Sequence, residues 1–83
     1  MLTSKSEVKV GFGVLLRSRR TSQGLSQEVL AHKVGLDRTY ISGIERGTRN
    51  PTLTVIYQIA HGLSLSVSAL VADLEEQMRG GPR

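Results

Sequence analysis

Residues 26–46 read SQEVLAHKVGLDRTYISGIER, two short helical patterns with a single glycine between them. In the first pattern Leu30, Ala31 and Val34 recur at helical spacing, which puts them on one face of a helix beginning at Ser26. Gly35 is expected to stop that helix, because a residue without Cβ enters the left-handed conformation without steric penalty. Leu36 then turns inward, and Asp37 offers a carboxylate to the free amides of the next helix. That second helix sets Ile41 and Ile44 on its inner side, three apart. Its outer side carries Arg38, Thr39, Tyr40, Ser42 and Arg46, and Gly47 ends it.

Two helices joined by so short a turn form a helix-turn-helix, and the second has the length and polarity to enter a DNA major groove. The flanking segments supply three more helices, giving an all-α, five-helix architecture. A first helix is expected from near Val10 to Ser22, with Phe12, Leu15 and Leu16 inward and Gly11 and Gly13 in its first turn. Gly24 closes it. Thr48-Arg49-Asn50-Pro51 reads as a loop, since a proline disfavours helix at the residue before it. Thr52 caps a fourth helix with Leu53, Ile56, Ile59 and Ala60 inward, ending at Gly62. Leu63 and Leu65 fill a short connection, and Ser66 caps a fifth helix striped by Leu70, Val71 and Leu74. One domain over residues 9–78 is expected, with a frayed segment at 1–8 and a disordered tail at 79–83.

A chain of 83 residues holds a single domain with a thin core. Its net charge of +4 is unevenly placed. Residues 1–51 carry nine cations against four carboxylates, a balance of +5, whereas residues 52–83 carry two against three, or −1. The first part suits phosphate and the second does not. Without cysteine there are no disulfides and no thiolate metal sites. No apolar run approaches the roughly 20 residues that cross a bilayer, and no signal-peptide pattern opens the chain. A cytoplasmic protein, nucleoid-associated when bound, is the expectation, with no membrane partner.

The segments LLRSRR (15–20), GLSQEVLA (24–31), GLDRTYISGIERGTRNPT (35–52) and IAHGLSLSVSALV (59–71) together resemble the lambda-repressor/Cro class of helix-turn-helix proteins, the XRE family. The resemblance extends from Phe12 to Leu74. It implies a sequence-specific, double-stranded-DNA-binding transcriptional regulator that acts as a homodimer on a palindromic or pseudopalindromic operator. By size and sequence the chain is most similar to the controller proteins of restriction-modification systems. A phage-type repressor and an antitoxin autoregulator share the same motif, and RNA polymerase is a further candidate partner. The rival from another class is a helix-turn-helix adaptor that binds protein.

Arg38 and Thr39 open the second helix of the motif, the end that points at base edges in such proteins. Arginine offers paired donors to guanine, and threonine offers its methyl to thymine, with phosphate contact by Arg38 or a solvated face as the alternatives. Tyr40 and Ser42 are close enough for base, sugar or phosphate contact, although the tyrosine ring could instead pack on the surface. Arg46, Thr48, Arg49 and Asn50 suit a phosphate clamp, with an adjacent minor groove as the alternative for Arg49. Gln27 lies in the first turn of the helix before, where free amides and the helix dipole favour an anion. The matching glutamine in the family grips a phosphate and braces the recognition helix. Gly43 costs helix stability and falls on the outer face, where missing bulk would let the helix sit deeper in the groove or a small residue is merely tolerated. Glu45 has the wrong sign for DNA, and the resemblance implies a partly buried pair with Arg20. Arg17 and Arg19 remain for phosphates or for solvent.

His32 and His61 lie on different helices without metal-ligand spacing, so solvated histidines are expected, and no metal or cofactor. No nucleophile–base pairing is visible, and Asp73, Glu75 and Glu76 read as a solvated face, so no enzymatic activity is expected. Val55, Tyr57, Leu65, Val67 and Val71 exceed what so small a core consumes, which assigns them to a dimer interface, with ordinary core packing as the alternative.

Overall fold

Hydroxyl side chains set the starts of four helices. The Ser4, Ser26, Thr52 and Ser66 oxygens accept from the amides of Glu7, Val29, Val55 and Ala69 at 3.0–3.2 Å. Each bond satisfies one amide that a helix start leaves free, a contribution of about 1 kcal/mol. The computed structural model describes residues 4–79. Among these it holds five α-helices: α1 (Lys5–Ser22), α2 (Gln27–Val34), α3 (Arg38–Glu45), α4 (Leu53–Gly62) and α5 (Val67–Met78).

The helix ends follow a second local rule. After α1, α2 and α4 the amides of Leu25, Leu36 and Leu65 reach back to the carbonyls of Arg20, Ala31 and Ala60 at 2.9–3.1 Å. This closure needs one left-handed residue, supplied by Gly24 and Gly35 in the first two cases. After α4 it is Ser64, at φ 59°, among the described residues the only non-glycine there. Each closure also turns a leucine toward the core.

Leu16, Leu30, Ile41, Ile44, Ile59, Leu63 and Leu70 are essentially removed from water. Burial of each contributes roughly 1.5–3 kcal/mol. α1 packs on both α3 and α5, α2 packs on α3 and α4, and α4 packs on α5. Three glutamines fasten these layers by donating to carbonyls on other elements. Gln23 reaches Leu63 O at 2.8 Å, Gln58 reaches Val34 O at 3.1 Å, and Gln77 reaches Gly11 O at 2.8 Å. Among the described residues no single helix is long and apolar enough to cross a membrane.

Four local expectations need correction. α1 begins at Lys5, because Ser4 and Glu7 form a reciprocal capping box, so residues 5–8 are helical and not frayed. Met1–Thr3 and residues 80–83 of the expected tail lie outside the described residues. Gly11 and Gly13 consequently sit in mid-helix and are both buried. Leu53 is 67% exposed, since it opens α4 beside its cap before the helix reaches the core. Asp37 makes no side-chain cap bond, so the amide end of α3 is the one helix start described without one.

Candidate nucleic-acid interface

α3 is divided along its length. At its amino end Asp37, Arg38 and Thr39 are exposed, and their side chains make no hydrogen bond to the protein among the described contacts. On its inner side Ile41 and Ile44 are fully buried and anchor the helix to the core. Its carboxyl end is gripped by α1 and α2.

The grip centres on the Glu45 carboxylate. Arg20 donates from Nε to Glu45 Oε2 at 2.6 Å and from Nη2 to Oε1 at 3.0 Å. The two side chains are only 10% and 3% exposed. Arg20 also donates from Nη1 to the Leu25 carbonyl at 2.7 Å, which ties the pair to the end of α1. The hydrogen bond with Glu45, against an opposing cost of burial and with further help from its charge, raises the Arg20 pKa above the ordinary arginine value. A raised pKa in a cation gives stability that is complete below the unfolded value and lost only as pH climbs through the folded one. For arginine both lie far above neutrality, so the Arg20 guanidinium stays charged at any working pH.

Gln27 completes the arrangement. Its Nε2 donates to Glu45 Oε1 at 2.9 Å, which brings α2 onto the same carboxylate. A primary amide carries two N–H donors, and the second is left for an acceptor outside the protein. A carboxylate with three charge-assisted or polar donors is the kind of buried group that stays satisfied. Gly13 makes this closeness sterically possible. A Cβ there would stand 2.3 Å from the Ile44 carbonyl oxygen and 2.8 Å from that of Glu45. Only a residue without a side chain lets α1 run against the backbone end of α3.

The remaining expected contacts distribute as follows. Arg46 donates from Nη1 to Ser42 Oγ at 2.5 Å, so these two outward residues already engage each other. Tyr40 is half-buried and packs against the core edge, with the Arg49 guanidinium carbon 5.3 Å from its ring centroid. Thr48, Arg49 and Asn50 are exposed after α3, although the Thr48 hydroxyl donates to Gly43 O at 3.1 Å. Gly43 is not on the outer face as expected: it is buried under the loop that follows the helix. The expectation counted helical turns and ignored the chain folding back over them.

Arg19 pairs with Asp73 on α5 while its side chain stays 40% exposed. Asp73 accordingly leaves the solvated acidic face that the sequence suggested, while Glu76 pairs with Arg79 at 3.0 Å. No sequence signal links positions 54 apart, so the Arg19–Asp73 contact was not foreseeable. His32 and His61 are both exposed. Of the proposed interface residues, Val55, Leu65 and Val67 are half-buried against their own core. Tyr57 and Val71 remain 58% and 39% exposed.

Two short helices set by a left-handed glycine, the second anchored within and bare at its amino end, define a helix-turn-helix domain. The helix-turn-helix family model matches residues 16–70, and the chain belongs to that family. Control protein C.MunI from a Mycoplasma species is 40% identical over 73 residues, 87% of this chain and 99% of that protein. The crystal structure of the restriction-modification controller protein C.AhdI from Aeromonas hydrophila superposes with a TM-score of 0.72 at 49% identity, covering 74% of this chain and 92% of that one. The controller protein C.Esp1396I, solved as a tetramer with its natural 35 base-pair operator, superposes with a TM-score of 0.80 at 37% identity, over 86% and 93% of the two chains.

Proposed function

We propose that this chain is a sequence-specific DNA-binding transcriptional regulator of the restriction-modification controller class, acting as a homodimer on a two-fold operator. The observation that carries the reading is the asymmetry of α3: clasped at its carboxyl end, with Arg38 and Thr39 exposed and unengaged at its amino end. A rigid helix that presents Arg38 and Thr39 is suited to read base edges. Gln27, Arg46, Arg49 and Asn50 hold the backbone on either side of it. The similarity to controller proteins, one of them solved on its operator, supports the same reading. A second copy of the chain, joined through the exposed Tyr57 and Val71 with Val55, Leu65 and Val67 beneath, places two recognition helices about 34–36 Å apart, one turn of duplex. The regulator works in the cytoplasm, on the nucleoid when bound. RNA polymerase is a candidate partner in this reading.

The test is selection of bound sites from random duplex, followed by a salt titration of affinity for the winning site. The expected product is a palindromic consensus. Log affinity should fall linearly with log salt, by about 0.9 per phosphate neutralised. Affinity that ignores salt, or a selection that yields no consensus, would favour the protein adaptor instead.

A further inference from the structure

The buried glycine of α3 is tied to the loop after it in two separate ways. Its carbonyl accepts from the amides of Thr48 at 2.9 Å and Arg49 at 3.2 Å, and from the Thr48 hydroxyl at 3.1 Å. Any residue at position 43 could make those bonds. The space above the Cα is different, because a Cβ there would stand 2.5 Å from Arg49 Cγ and 3.6 Å from Arg49 Cβ. The stem of Arg49 therefore lies across the α3 backbone. Its guanidinium carbon then comes to 5.3 Å from the Tyr40 ring centroid, inside the range of a cation–π contact.

We propose that Gly43 is a positioning residue for operator binding. Its missing side chain seats Arg49 along the recognition helix, with Tyr40 as the platform under the cation. The inference rests on the reading that α3 enters DNA. A long arginine after a helix normally samples many rotamers, and that freedom is lost when it contacts DNA. Laying it down beforehand reduces the loss. Glycine in mid-helix carries its own cost, and the seat is the compensating gain.

Gly43→Ala separates this from tolerance of a small residue. The obstructed atom is the Arg49 Cγ, which a χ1 rotation moves aside, so the protein folds, and its melting temperature is measured beside affinity so that a loss of fold is not read as a loss of binding. Affinity for the selected operator should fall about two- to tenfold, the effect of freeing one immobilised side chain. In an Arg49→Ala background the same substitution should change affinity less than about twofold, because the group it displaces is already gone. An equal loss in both backgrounds would mean that the methyl itself obstructs the groove, and no loss in the parent would mean the seat is idle. Either result overturns the proposal.

A second readout needs no DNA. The Arg49 δ-protons in the free protein should be shifted upfield by the Tyr40 ring, and should lose that shift in both Gly43→Ala and Tyr40→Leu. Unshifted protons in the parent would also overturn it. If the parent protein fails to bind duplex at all, the regulator reading falls as well. If it binds but the two backgrounds show no difference in coupling, only the role of Gly43 falls.

Discussion

The two ends of α3 are built on opposite principles. At the carboxyl end α1 and α2 meet α3 at one carboxylate, with Gly13 removing the bulk that would hold them apart. At the amino end even the local carboxylate of Asp37 makes no cap bond, and Arg38 and Thr39 project from an uncovered turn. A helix fixed at one end and bare at the other is held like a cantilever. The fixed end sets the angle, and the bare end is left for what it touches. Packing and exposure are therefore divided between different residues of one eight-residue helix, which on the proposed reading separates stability from recognition.

If that division is real, the largest stability loss should come from Glu45→Ala. It leaves Arg20 buried and uncompensated, at an expected cost of about 3–5 kcal/mol in chemical denaturation. An unchanged midpoint would mean the clasp is incidental. Next comes Gly13→Ala, whose methyl meets backbone and not a yielding side chain. It should cost about 1–3 kcal/mol, although alanine is the better helix former. Arg38→Ala should leave the melting temperature in place while weakening the preferred operator by about 1–3 kcal/mol and relaxing preference at one base pair per half-site. Uniform weakening across all sequences would move base reading to another residue. The smallest contrast compares two caps. Ser26→Ala should cost about 1 kcal/mol, and Asp37→Ala no more than a few tenths, since only the first side chain makes its bond.

Much of this architecture was legible from local chemistry. Ser26, Thr52 and Ser66 announce helix starts, Gly24 and Gly35 announce ends, and the apolar spacing between them fixes which faces meet. The start of α1 was missed because MLTSKSEV has no apolar period, yet Ser4 and Glu7 already spell a capping box. Other features had no local signal. The Arg19–Asp73 pair joins residues on α1 and α5, and the seat of Arg49 over Gly43 appears only once the loop folds back. Glycines were the most misread residues. Periodicity says where a missing side chain faces, while the chain that comes to fill the gap is set by tertiary packing. The candidate surface residues Arg38, Thr39 and Asn50 were identifiable as exposed cations and polar groups, but which of them touch base or phosphate depends on a partner's geometry.

The division of α3 is tested most directly by titrating the isotopically labelled protein with its selected duplex and following every backbone amide. The account predicts the largest shifts at Asp37–Ser42 and at Arg49–Asn50, with Ile44, Glu45 and Arg20 nearly still. Large shifts at the clasp, with an unmoved amino end, would contradict it.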